Sequence, residues 1–286
     1  MKSLLWRASS SASIQCRFLA SAAAGNDEKL VKVTRENNGV THVVLDRPEG
    51  KNSLSKKMIE EFNDSIQGLH KDAKTNVVVI SSAVNRVFCA GADLKERKAM
   101  PENEIGNFVK GLRSAFTAVE DLPMPVIAAI EGAALGGGLE LALACDLRIC
   151  SESSLLGLPE TSLAIIPGAG GTQRLPRVLG LTKAKELVYM AKRLSGKESE
   201  EIGLVTECVQ DGQALQRAVE IAERINLGGP VALRMAKAAI NEGTQGSLKE
   251  GLEVEGRCYG TVIPTKDRIE GLKAFAEKRK PEYVGA

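Results

Sequence analysis

The chain reads as an α/β protein in which strand-like and helix-like segments alternate along the first two thirds and helices alone follow. Three observations carry this reading. Short β-branched runs are separated by longer stretches with apolar residues at helical spacing. An apolar fraction of 43% over 286 residues can fill one large core. Aromatic residues make up only 3% while glycine occurs 28 times, so the core is aliphatic and closely packed, with many tight turns.

Val40 to Leu45 forms a strand ended by Asp46-Arg47-Pro48. Lys56 to His70 repeats Met58, Ile59, Phe62, Ile66 and Leu69 on one helical face. Val77 to Ile80 is a buried strand by length and β-branching, and a loop, Phe88 to Asp93, follows it. A second amphipathic helix covers about Glu104 to Glu120 and stops at Pro123 and Pro125. Val126 to Ile130 resumes a strand, Ala133 to Gly138 is a turn that opens a helix through Glu140 to Ala144, and Asp146 to Cys150 is again strand-like. Beyond about Lys197 the strand signals fade, and residues 213–226, 230–242, 247–259 and 265–278 read as helices. The organisation expected is one core over 28–196 and a helical region over 197–286, placed to pack against another subunit.

Residues 1–27 differ from the rest. Lys2, Arg7 and Arg17 alternate with six serines and several alanines, and no acid precedes Asp27. That is the composition of an organelle transit peptide, with the mitochondrial matrix favoured over the plastid. No apolar run of about 20 residues occurs, so no membrane span is expected. A net charge of +2 gives no electrostatic argument for nucleic acid or membrane partners. Six cysteines without a CxxC pair, and two histidines, argue against a zinc site, and a reducing compartment without a disulfide framework is expected; Cys145 and Cys150 read as small buried hydrophobes.

The chemistry concentrates between Ala129 and Gly171. Glu140 and Glu160 stand twenty residues apart in apolar or glycine-rich settings, where a buried carboxylate is costly. Gly136-Gly137-Gly138 lets backbone approach a ligand, and the first turn of the following helix favours negative charge. A second amide from the Gly91-Ala92-Asp93 loop would complete a two-donor oxyanion hole. Nucleotide readings are poor. The triple glycine is not a GxGxxG fingerprint, and Gly168-Ala169-Gly170-Gly171-Thr172 lacks the ending of a phosphate loop. Spacing alone does not bring the two glutamates together, and each is equally readable as a surface or salt-bridged residue.

From about residue 30 onward the chain resembles the enoyl-CoA hydratase/isomerase (crotonase) superfamily. The matching stretches are Asp46-Arg47-Pro48 with Asn52, Cys89-Ala90-Gly91-Ala92-Asp93-Leu94-Lys95, Gly136-Gly137-Gly138-Leu139-Glu140, Gly157-Leu158-Pro159-Glu160 and Ile166-Pro167-Gly168-Ala169-Gly170-Gly171-Thr172. The resemblance is strongest to the mitochondrial methylglutaconyl-CoA hydratases, through Ile263 to Arg268 and Glu277 to Pro281. It implies a crotonase-like spiral of ββα units, a C-terminal helical trimerisation region and a homohexamer of two stacked trimers. It also implies hydration of a short-chain enoyl-CoA thioester, with Glu140 and Glu160 catalytic and the Ala92 and Gly137 amides on the thioester oxygen. Ala90, Ala92, Asp93, Leu94, Lys95, Gly137, Gly168 and Lys278 would contact substrate, Lys278 from a neighbouring subunit. No metal and no cofactor is implied, because coenzyme A is part of the substrate.

Both glutamates favour hydration over the isomerase or acyl-CoA hydrolase chemistry found on the same fold. An RNA-binding role is disfavoured, because Lys56, Lys57 and Lys71 alternate with Glu60, Glu61 and Asp64 on one helix. The acyl group, straight or methylglutaconyl, is left open.

Overall fold

A computed structural model of the chain describes residues 29–286, and the segment expected to be a transit peptide, 1–27, lies outside the described residues. Strands β1 (Val31–Arg35) and β2 (Val40–Leu45) form an antiparallel hairpin. Helix α1 (Lys56–His70) follows, its first turn capped by the Ser55 hydroxyl, which accepts from the Met58 amide. All five apolar residues of its expected face are buried, each contributing about 1.5–3 kcal/mol of transfer free energy.

Three ββα turns come next. The first is β3 (Val77–Ser82), β4 (Val87–Cys89) and helices α2 (Leu94–Ala99) and α3 (Glu102–Glu120). The second is β5 (Val126–Ile130), β6 (Ala133–Leu135) and α4 (Gly137–Ala144). The third is β7 (Leu147–Ser151), β8 (Leu155–Gly157) and helices α5 (Gly171–Leu179) and α6 (Leu181–Tyr189). Then follow β9 (Arg193–Ser195), α7 (Gly196–Glu201), β10 (Glu207–Val209) and helices α8 (Ala214–Ile225), α9 (Pro230–Gly243), α10 (Leu248–Val262) and α11 (Lys266–Glu277).

Each turn places its first strand in one sheet and its second in another. The larger sheet has the order β1-β2-β3-β5-β7-β10, parallel from β2 onward; the smaller has the order β4-β6-β8-β9, with β4, β6 and β8 parallel. This is the spiral that the resemblance implies. The main core fills the space among the sheets, α1, α3 and α4, and a second cluster packs α8 on the outer face of the larger sheet.

The structure corrects three sequence readings. Phe88 and Cys89, expected as the start of a loop, end strand β4, too short to show a period of its own. Ala133 to Leu135, expected as part of a turn, is strand β6. The fading of strand signals after Lys197 conceals β10, whose three half-buried residues pair in parallel with β7 but are too few to show a period.

Helices α9 and α10 lie against one another, the chains approaching so closely that a Cβ on Gly251 would stand 2.8 Å from the Gly243 carbonyl oxygen. Neither helix buries a residue, and Leu248, Tyr259, Leu272 and Phe275 are exposed along α10 and α11.

Candidate active site

The carboxyl ends of three neighbouring parallel strands build the site. Strand β4 runs into Ala90 to Asp93, β6 into Gly136-Gly137, and β8 into Leu158-Pro159-Glu160. Ligands of parallel sheets bind at such ends because the loops there can vary while the strands hold them in register.

The first two ends bring two amides together. Gly91 has φ +90°, and a Cβ there would stand 2.7 Å from the Leu135 carbonyl oxygen and 3.3 Å from the Gly137 nitrogen. A Cβ on Gly137 would lie 3.8 Å from the Ala92 nitrogen. Neither the Ala92 nor the Gly137 N–H meets an acceptor among the described residues. Two adjacent unengaged donors, one in the loop after β4 and one at the start of α4, have the geometry to receive a negatively charged oxygen. Gly136 reverses the chain into the helix with φ 53°, and the fit behind it is tight: a Cβ on Gly138 would meet the Cys89 carbonyl oxygen at 2.1 Å.

The loop bearing Ala92 is braced from outside. Asp93 caps α2, one carboxylate oxygen accepting from the Lys95 and Glu96 amides, while the other meets Arg47 at 2.9 Å and the Ser53 hydroxyl at 3.3 Å. Asn52 accepts from the Arg47 amide and donates to the Ser82 hydroxyl and the Phe88 carbonyl. The matching residues Arg47, Asn52 and Asp93 are therefore a clamp, and both Asp93 oxygens are engaged within the chain. Ala90, Leu94 and Lys95 are exposed at its rim.

Glu140 sits in the first turn of α4, a helix whose eight residues are all buried; Glu140 itself is 3% exposed. Its Oε1 accepts from the Ala169 and Gly171 amides, both at 2.8 Å. Burial pushes its carboxyl upward, while those two amides and the charges of Arg174 and Arg113 pull back. Gly171 has room for nothing larger, since a Cβ there would stand 3.0 Å from that same oxygen.

Glu160 opens a 3-10 turn, Glu160–Leu163, closed by Ala164 in the left-handed region. Its Oε1 would stand 3.0 Å from a Cβ on Gly136, four residues before Glu140, so the structure brings the two glutamates to one place. Its Oε2 is buried without a partner among the described residues. Burial, aided by the nearby Glu140 charge, lifts its carboxyl to about 7 although its own amide opposes this.

Gly168 lies beside this pair. Its carbonyl accepts from Arg113 Nε at 3.2 Å and Nη2 at 3.0 Å, and a Cβ on it would press on Val109 at 2.8 Å. Lys278 is far along the chain, exposed at the end of α11 with φ 55°; the bidentate pair of Arg279 with Glu270 holds the turn that presents it. Sequence reasoning missed Arg113 and Arg174. Nothing in helical periodicity separates an arginine aimed at a loop carbonyl from a solvated one. No group of side chains suited to a metal ion occurs among the described residues.

The family model described as enoyl-CoA hydratase/isomerase matches residues 35–286. The chain is 51% identical over 257 residues to "Probable enoyl-CoA hydratase 2, mitochondrial" of Arabidopsis thaliana, covering 90% of this chain and 85% of that one. It is 47% identical over 274 residues to the human "Methylglutaconyl-CoA hydratase, mitochondrial", covering 94% and 81%. The crystal structure of an enoyl-CoA hydratase from Bacillus anthracis superposes with a TM-score of 0.88 at 49% identity, covering 90% of this chain and all of that one. The chain belongs to the enoyl-CoA hydratase/isomerase family.

Proposed function

We propose that the protein is a hydro-lyase that adds water across the 2,3-double bond of a short-chain enoyl-CoA thioester. The observation that carries this is the convergence of buried Glu140 with half-buried Glu160, whose Oε2 is buried without a partner among the described residues, beside two unengaged amides. The Ala92 and Gly137 amides polarise the thioester carbonyl. Glu140 and Glu160 orient one water over the double bond. Its oxygen bonds to Cβ while Glu140 takes one of its protons, and the π electrons move onto the thioester oxygen as an enolate. The enolate collapses as Cα takes the proton of Glu160. A proton then passes from Glu140 back to Glu160, and the net change is addition of one water. The thioester itself supplies the activation, so no cofactor enters beyond the coenzyme A carried by the substrate.

Glu140, anchored by two amides and facing two arginine charges that favour its ionised form, suits the base, and a carboxyl lifted to about 7 suits the acid. Product analysis tests the reaction type. The native protein given a 2-enoyl-CoA should yield the 3-hydroxyacyl thioester, and given a 3-enoyl-CoA should leave it largely unshifted. Double-bond migration without water addition would overturn the reading in favour of an isomerase.

The acyl group lies between two classes, a straight chain such as crotonyl and the branched, carboxylated methylglutaconyl group. Relatives named for each type of activity support both. In this reading Lys95 and Lys278, both exposed, meet the coenzyme A phosphates, Lys278 from a neighbouring copy. The uncovered apolar faces of α9 to α11 support a hexamer of two trimers, as patches of this kind mark subunit interfaces. Sedimentation of the native protein as a monomer would refute the assembly. Mitochondrial relatives and the acid-free, basic segment 1–26 support import into the mitochondrial matrix.

A further inference from the structure

We propose that Arg174 is a positioning residue for the hydration step: its guanidinium ties the loop of Ala169 to Gly171 to helix α3 and so aims the two amides that hold Glu140. This rests on the hydratase reading given above.

The geometry is a relay of three links. Nε and Nη2 of Arg174 donate to Glu120 Oε2 at 3.0 and 2.6 Å, and Nη2 also donates to the Thr117 hydroxyl at 3.2 Å. Both partners lie on the last turns of α3. From the other side of the fork, Nη1 donates to the Ala169 carbonyl at 3.2 Å. The Ala169 amide in turn donates to Glu140 Oε1 at 2.8 Å. Ala169 is thus held at both its carbonyl, by Arg174, and its N–H, by Glu140. The loop closes directly on the guanidinium: Gly170 has φ +114°, and a Cβ on it would stand 2.1 Å from Nη1. Arg174 is itself mostly buried, at 11% side-chain exposure.

Four donor contacts spread over a flat fork are a use of arginine that lysine cannot reproduce. Arg113 supports the neighbouring Gly168 carbonyl from the same helix α3, so the whole loop hangs on one helix. The charged groups that face Glu140 are Arg174 from α5, Arg113 from α3 and Glu160 from the 3-10 turn. Arg174 favours the ionised form of Glu140 through its charge as well as through the amides it aims.

The test compares full-length native protein with Arg174→Gln, Arg174→Lys and Glu120→Gln on crotonyl-CoA over a pH series. It adds hydrogen exchange at the Ala169 and Gly171 amides. Misplacing a carboxylate at this distance from the reacting atoms costs about 10- to 100-fold. Arg174→Gln is expected to lose that factor in kcat, with KM changed by less than about threefold. The acid limb of its profile should move to higher pH, because an ionised Glu140 has lost support. Arg174→Lys should restore the acid limb but only part of kcat, and Glu120→Gln should lower kcat without raising that limb. Native-like kcat and an unmoved limb in folded Arg174→Gln would overturn the proposal. If Arg174→Gln does not fold, the Lys and Glu120 variants decide by kcat: a lowered kcat supports the proposal, and native-like kcat in both overturns it. If the native protein hydrates neither crotonyl-CoA nor 3-methylglutaconyl-CoA, the hydratase reading is at fault instead. Exchange then decides the relay: faster exchange at Ala169 and Gly171 in Arg174→Lys supports it, and unchanged exchange refutes it.

Discussion

The two flanks of the site hold their carboxyls in opposite ways. On the α4 flank, Glu140 sits in a fully buried helix turn with two amides on one oxygen. On the Pro159 to Ile166 flank, Glu160 begins a short 3-10 turn, leaves one oxygen unpartnered, and is followed by exposed Leu163, Ile165 and Ile166. In the proposed reaction this difference is what lets one fold use the same residue type as base and as acid. At Glu140 two amide hydrogen bonds and two arginine charges offset part of the upward push of burial, whereas at Glu160 only its own amide opposes burial and the carboxyl is lifted to about 7.

The comparison breaks most completely at Glu140. Glu140→Ala should lower kcat/KM for crotonyl-CoA by about 10²–10⁴-fold, the range of a general base, with the fold intact by circular dichroism. Gly136→Ala is expected to come next. The new Cβ needs φ 53° and would press on Glu160 Oε1 at 3.0 Å, so kcat should fall by about 10- to 100-fold while substrate binding persists.

A pH series sharpens the contrast. The acid must be protonated and the base ionised, so hydration should decline on the alkaline side as Glu160 loses its proton near 7 and on the acid side as Glu140 gains one. Glu160→Gln should abolish the alkaline limb together with most activity. A residual rate that still declines through about 7 would assign that limb to another group.

The smallest effect is on stability. The folded-state value for Glu160 lies above its ordinary one of 4.5, so the folded protein binds this proton more tightly than the unfolded chain. The stabilisation is complete below the ordinary value and is lost as pH rises through about 7. Glu160→Gln should therefore raise thermal stability over native at pH 8, by on the order of 1–2 kcal/mol after solvent screening, and leave it nearly unchanged at pH 4. Equal melting of the two proteins at both pH values would show that Glu160 is not strained by its setting.

Legibility from sequence follows the same physical divide. Long amphipathic segments are self-evident, because burial of one face imposes a period: α1 runs Lys56–His70 as expected, and the last four helices lie where their apolar spacing puts them. Strands of three residues, such as β6, β8, β9 and β10, are held by neighbours distant in sequence and carry no period of their own. The glutamates and glycines of the site were visible as unusual residues in apolar settings. Their meeting was not, because it depends on β6 and β8 lying side by side. Arg113 and Arg174 escaped for a related reason: their partners are carbonyls of a loop whose path only the folded chain defines.

Steady-state hydration of crotonyl-CoA and 3-methylglutaconyl-CoA by the native protein, Glu140→Ala and Glu160→Gln, side by side, tests the paired carboxyls most directly. The native protein should hydrate at least one thioester, and each variant should lose about 10²-fold or more on it while remaining folded. The larger native kcat/KM identifies the acyl class. Absence of hydration by the native protein, or near-native rates in either variant, would contradict the paired-carboxyl mechanism.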